Sequence, residues 1–102
     1  MDERRIALGQ IFRDILGTGN VYFQPPASVR MSYPCIVYRL DDIRKVSADD
    51  GSYGRHKRYL VTLVDKNPDS DYQEELLKLP LCRFGRFYTQ DGLNHWVYEI
   101  YY

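Results

Sequence analysis

The chain is short of the residues that small domains use for covalent or metallic support. It has two cysteines, Cys35 and Cys82, and no CxxC pair, so neither a disulfide framework nor a zinc-type ligand set has the residues it needs. Each cysteine sits inside an apolar, strand-like pattern. In a chain read as cytosolic, both are expected to be reduced and buried as small hydrophobes. No apolar run reaches bilayer-spanning length, which gives no expectation of a membrane partner. The opening MDERRIALGQ is charged where a secretory signal would carry an apolar core. Neither sign of charge is in excess, with fourteen basic residues against fourteen acidic, which argues against a general nucleic-acid binder with a basic face. A phosphate-cradling glycine loop and an HExxH pair are both missing, as are repeats and low-complexity segments.

What the chain does have is tyrosine, ten in 102 residues. Tyrosine suits half-buried strands and protein interfaces because it joins apolar area to a polar tip. The length predicts one domain that buries roughly 60–70% of its unfolded surface.

Leu8, Ile11, Phe12, Ile15 and Leu16 recur at helical spacing and predict a helix over 2–16, ended by Gly17-Thr18-Gly19-Asn20, where a glycine can take the left-handed cap conformation. Residues 21–23 read as a short strand, which Pro25 and Pro26 stop or confine to an edge. In the strand predicted over 33–40, Cys35 and Val37 face one way and Ile36, Tyr38 and Leu40 the other. The polar continuation 41–46, the turn-rich 48–54 and the strand 55–65 predict a long hairpin whose charged tip projects. A second helix is expected to open at 67–70, with Ser70 and Gln73 as a capping box or Asn67 before Pro68 as the alternative cap, and Tyr72, Leu76 and Leu77 as its buried side. Strands over 81–89 and 95–102 follow, joined around Asp91-Gly92 by a connection longer than two residues. The expected fold class is α+β: a single antiparallel sheet of about four to five strands, two helices packed on one face, and a projecting β-hairpin.

Reactive chemistry has few candidates. Cys35 or Cys82 with His95 is the one conceivable nucleophile pair, but burial and the lack of an activating turn weigh against it. His56 lies in the basic run 55–58 and reads as a solvated strand residue. The chain is expected to have no catalytic residue, no metal and no cofactor. Arg83-Phe84-Gly85-Arg86-Phe87-Tyr88 matches part of the basic-aromatic strand of RNA-recognition folds, where aromatics stack on bases. The order of helices and strands is wrong for that fold.

Charge layout is more informative. Asp41, Asp42, Asp49 and Asp50 lie on the first arm and loop of the hairpin, and Arg55, Lys57 and Arg58 open its second arm. These residues, with Tyr53, are candidate contacts, either paired across the hairpin or docked on a neighbouring subunit, where charge sets register and partner choice. Gln24, Pro25 and Pro26 begin the loop 24–32, which is read as a proline-stiffened contact surface that loses little entropy on assembly.

The runs YPCIVYRLDDIRK, KRYLVTLVDKNPDSD and LPLCRFGRFYTQDGLNHWVYEIYY together resemble a family of small proteins from tailed phages of Gram-positive hosts, the tail terminator, tail completion or minor head–tail joining proteins. The resemblance covers 21–102. Its signature-like pieces are Tyr33-Pro34-Cys35, the junction 64–70, and Tyr88 with 91–95. It implies a non-enzymatic virion protein of the tail and neck, assembled in the host cytoplasm. Such a protein forms a homo-oligomeric ring, usually a hexamer, at the head-proximal end of the tail tube. The ring ends tube polymerisation and meets the tail tube protein and the head connector or stopper, while genome DNA passes through its lumen without specific binding. A related head–tail adaptor of the neck is the alternative, and a small RNA-binding module the more distant one.

Overall fold

The apolar stripe predicted over 2–16 forms α1 (Glu3–Leu16), which buries Leu8, Gly9, Phe12 and Leu16 and closes on Gly17 at φ 71°. The computed structural model describes residues 3–47 and 53–102, with side chains described outside 42–56. After α1 come β1 (Val21–Phe23), β2 (Cys35–Ser47), β3 (Tyr53–Asp65), α2 (Tyr72–Leu77), β4 (Cys82–Gln90) and β5 (Leu93–Tyr101). The strands form one sheet in the order β1-β2-β3-β5-β4. The fold is α+β, and among the described residues no helix is long and apolar enough to cross a membrane.

Period-two alternation sorts the sheet into two faces. Val21, Ile36, Leu63 and Trp96 share one row of the register and Phe23, Tyr38, Val61 and Tyr98 the next. Leu8, Phe12 and Leu16 of α1 and Leu76 of α2 join these residues in a single core, so both helices lie on that face. The opposite face carries rows such as Val37–Thr62–Val97 and Cys35–Val64–His95.

The sheet is mixed rather than wholly antiparallel, because β1 pairs in parallel with β2 while the other pairings are antiparallel. The residues between them, 24–34, return the chain to the start of β2, so the two strands run the same way. Hydrogen bonds hold this crossover at several points: Ser32 N donates to Tyr22 Oη at 3.2 Å and Asn20 Nδ2 to Pro34 O at 3.3 Å. The Tyr33-Pro34 peptide within it is cis.

Local chemistry corrects three further expectations. The second helix starts later than the capping box predicts, since Asp65 and Asn67 side chains take the backbone donors of Asn67 and Asp69 at 3.1 and 2.9 Å. Such Asx turns compete with helix. Ser70 is instead buried with no partner for its hydroxyl among the described residues, and Asp71 stands at the N-cap without a side-chain cap bond. Of the apolar side assigned to α2, Leu76 is buried, Tyr72 partly so, and Leu77 is 48% exposed. Adjacent residues of a helix project about 100° apart, so the turn that buries Leu76 points Leu77 away from the core. The last hairpin closes through the minimal two-residue turn: Gln90 pairs with Leu93, and Asp91 and Gly92 have φ of 55° and 74°. Positive φ at both positions is the type I′ signature that Asp-Gly favours.

Gly9 shows how closely α1 approaches the sheet. A β-carbon there would lie 2.8 Å from Tyr38 Oη and 3.3 Å from Arg13 Nη1, and Tyr38 is only 3% exposed, so its ring has little room to yield. Gly9→Leu is expected to lower stability by about 1–3 kcal/mol through overpacking, despite leucine's better helix propensity. Urea denaturation checks this; a midpoint equal to or above that of the wild type would show that the helix can lift without cost.

Candidate functional site

The hairpin projects from the sheet as the sequence pattern predicts. β3 pairs with β5 only from Arg58 to Asp65, so toward the tip β2 and β3 pair with each other alone, up to Ser47 opposite Tyr53. The molecule is correspondingly long, 49 × 26 × 22 Å. A register shift between Leu40 and Asp42 marks the arm's root. There Arg58 Nε donates to Asp41 Oδ2 at 2.7 Å, an exposed pair that orients the bulge more than it stabilises it. Reciprocal backbone bonds between Lys57 and Tyr102, at 3.4 and 3.0 Å, fasten β3 at the same level.

The predicted contact residues fall into two groups, and the fold sets Gln24 and Pro25 of one beside the root of the arm that carries the other. Gln24 follows β1 at φ 43°, a left-handed conformation uncommon outside glycine. Its backbone N donates to Tyr38 O at 3.0 Å, and its side-chain Oε1 accepts from Leu40 N at 3.1 Å. Gln24 and Pro25 thus line a shallow recess with Val37, Arg39 and Leu40, directly against the arm's root at Asp41. Pro26 lies in the turn closed by Val29 N donating to Pro26 O at 3.0 Å. Asp49 and Asp50 lie outside the described residues. Asp42, Tyr53 and Arg55 are placed by backbone register alone.

That register changes the charge reading. Asp42 stands opposite Arg58, but Arg44 stands opposite His56 and Lys45 opposite Arg55. Acid-against-base pairing therefore holds at the root and not along the arm. Arg44 and Lys45 are absent from the contact residues picked from sequence. Counting outward from the loop centre would have found them, since paired positions sum to 100 from Ser47–Tyr53 to Asp42–Arg58.

Of the residues considered for chemistry, Cys35, Cys82 and His95 have described side chains. Cys35 and His95 share a row on the open face, but Val64 stands between them. Burial pushes the Cys35 thiol up to about 12, with the Asp65 carboxylate adding to the rise. His95 stacks on Tyr88 at 4.5 Å between ring centroids and 10° between planes, and its Nδ1 lies 3.2 Å from Leu93 O. Cys82 is only half-buried, against the expectation of full burial, because β4 is the uncovered edge of the sheet. Desolvation still raises its thiol to about 11. The basic-aromatic strand does not form one platform. Phe84 and Phe87 lie against Tyr98 and Trp96 on the helix face, while Tyr88, with Arg86 5.0 Å from its ring centroid, belongs to the other. Among the described residues no three His, Cys, Asp or Glu side chains gather as a metal site would require. An apolar groove of about 150 Å³ between α1 and the start of β4 is lined by Leu8, Ile11, Leu79, Leu81 and Ile100.

The pieces that carry the family resemblance meet at the end of the sheet opposite the arm. Asn94 Nδ2 donates to Asp65 O and Lys66 O at 3.1 and 3.2 Å, joining 91–95 to the junction 64–70. Cys35 stands opposite Val64 in the ladder. Their visible work is to close turns. No family model matches the chain, and no curated protein is significantly similar to it.

A thiol held protonated by burial gives a signed pH dependence. Cys35 keeps its proton in the folded state up to about 12, whereas an unperturbed thiol loses it near 9.0. The folded state therefore binds more protons between these values, and the stability this confers is full below pH 9.0 and lost as pH rises toward 12. The urea midpoint is expected to fall across that window, less steeply in Cys35→Ala. Equal slopes in the two proteins would remove Cys35 as a cause.

Proposed function

We propose that the protein is a structural subunit of a phage neck. It is a tail-terminator-like chain that associates with copies of itself in a ring at the head-proximal end of the tail tube. The observation that carries this reading is the arm. Two strands leave the sheet and, past Lys57, pair only with each other. An isolated two-stranded ribbon is marginal in water, so such an arm gains most by docking on a neighbour. The neighbour is another copy, and the contact is heterologous, as ring formation requires. It buries about 800 Å² per partner or more. The resemblance over 21–102 supplies the class of particle, and the α+β fold agrees with it. The ring ends tube growth and presents the surface that meets the head connector.

The zero net charge suits a conduit that passes DNA without gripping it, since each neutralised phosphate adds affinity through counterion release. The split of Phe84 and Phe87 from Tyr88 across two faces disfavours base stacking on this strand as the main activity.

Immunogold labelling of virions of the encoding phage is expected to mark the head–tail junction; label at the tail tip, or none on the particle, would overturn the reading. The isolated protein is expected to bind duplex DNA and single-stranded RNA no tighter than roughly 10⁻⁴ M at physiological salt. Micromolar RNA binding that falls in Phe84→Ala or Tyr88→Ala would put a nucleic-acid module in its place.

A further inference from the structure

β4 is the last strand of the sheet, and among the described residues only β5 pairs with it. Alternate residues of such a strand turn their backbone N–H and C=O away from the one neighbour, so β4 offers a row of unpaired donors and acceptors. A bulge sorts its side chains. Residues three apart in a regular strand fall on opposite faces. The register shift between Phe84 and Arg86 absorbs Gly85, and so brings residues three apart onto the same face. Phe84 packs on Tyr98 and Phe87 on Trp96, both on the helix face. Arg83 stands opposite Glu99 and Arg86 opposite Val97, both on the open face. A β-carbon at Gly85 would lie 3.1 Å from Val97 O, which favours glycine at the bulge.

The edge is therefore amphipathic, and each side is left unmatched. Phe84 is 42% and Phe87 47% exposed. Leu81, just ahead of β4, is 61% exposed and lines the apolar groove beside α1. An apolar strip beside an open backbone edge is a template for an added strand. On the open face Arg83 Nη2 donates to Glu99 Oε2 at 2.7 Å, and Arg86 lies 5.0 Å from the ring centroid of Tyr88. One carboxylate against two guanidinium groups leaves positive charge in excess, and no acid occurs from Cys82 to Gln90. The β4 strand of a second copy would bring the same cations and no acid in any register. The other open edge, β1 (Val21–Phe23), is short and uncharged, so a second copy's β1 would leave the arginines unmatched as well.

We propose that β4 binds an extended segment of another protein as a sixth strand, a segment that alternates acidic and apolar residues. Backbone bonds along the edge give the affinity and the alternation gives the specificity. Apolar side chains of the segment lie beside Phe84 and Phe87, and its carboxylates beside Arg83 and Arg86. The arginines thus admit an acidic strand and repel another β4, so that one charge pattern both selects and excludes. This binding goes beyond the ring reading and does not rest on it.

Fluorescence anisotropy of the full chain with a labelled peptide of about eight residues, alternating Glu and Val, tests it. Binding with a Kd below about 100 μM is expected. A peptide of the same composition with Glu and Val in separate blocks, and one alternating Lys and Val, should each bind about tenfold more weakly or worse. N-methylation of every second residue should abolish binding on one set of positions and spare it on the other, because only one set bonds to the edge. Phe84→Ala with Phe87→Ala should weaken binding about tenfold. Those changes disturb packing on Tyr98 and Trp96, so Arg86→Glu supplies a second check. It should weaken the Glu peptide and strengthen the Lys peptide, a gain that no folding defect gives. No binding of the Glu-Val peptide up to about 1 mM, equal binding of the block peptide, or no change in Arg86→Glu overturns the proposal. Self-association that is lost in the phenylalanine double variant would put a second copy in place of the foreign segment. Single-stranded RNA that binds more tightly than the peptide, and is lost in Arg86→Glu, would put nucleic acid there.

Discussion

The ring of Tyr38 is the point on which the arm end of the molecule depends. It packs on Phe12 of α1 at 5.1 Å, Phe23 of β1 at 5.0 Å and Tyr59 of β3 at 6.0 Å between centroids. Its hydroxyl donates to Arg5 O at 3.4 Å, and Gly9 gives it room. Arg5 also lies 4.3 Å from the centroid of Phe23. Each aromatic pair adds about 0.5–1.5 kcal/mol beyond burial, so four elements are joined through one side chain. Two residues further on, β2 reaches Leu40, where Gln24 bonds it and the arm begins. This cluster fixes the root from which the arm projects.

The same device accounts for part of the tyrosine content. Tyr98 is fully buried in the sheet, and its hydroxyl donates to Gln73 O of α2 at 3.0 Å. Tyr22 accepts from Ser32 N and so ties the crossover. A buried tyrosine needs a partner for its hydroxyl, and a helix or loop carbonyl or amide supplies it at a fixed place. Phenylalanine would fill the space without fixing position. These tyrosines therefore do internal work, whereas Tyr88 and Tyr101 stand on the face of the sheet away from the helices.

Periodicity made much of this legible. The faces of the strand at 33–40, the apolar stripe of α1, the edge position of β1 and the projecting hairpin all follow from alternation, helical spacing and proline chemistry. What escaped depends on partners that spacing does not encode. The parallel pairing of β1 is set by the path of 24–34, and the late start of α2 by side chains that capture backbone donors. Leu77 faces outward because it stands about 100° round the helix from the buried Leu76, and Cys82, though packed on the core, stays half-buried because β4 has a strand neighbour on one side alone. At the candidate site, sequence picked the acidic and basic ends of the hairpin, but only the register reveals which residues face one another.

That register alters what neutrality means. A chain with equal numbers of acids and bases would be weakly attracted to its copies if the charges were mixed. Here part of the charge is segregated along the long axis, with a cationic stretch in the arm and carboxylates beyond the end of β3. Side-by-side packing of such molecules in the same direction sets like against like, whereas end-to-end packing sets unlike against unlike. Exposed charges lose most of their reach beyond a screening length of about 8 Å at physiological salt, so any such attraction would act only between ends already in contact. The aromatic cluster around Tyr38 fixes the root from which the arm extends.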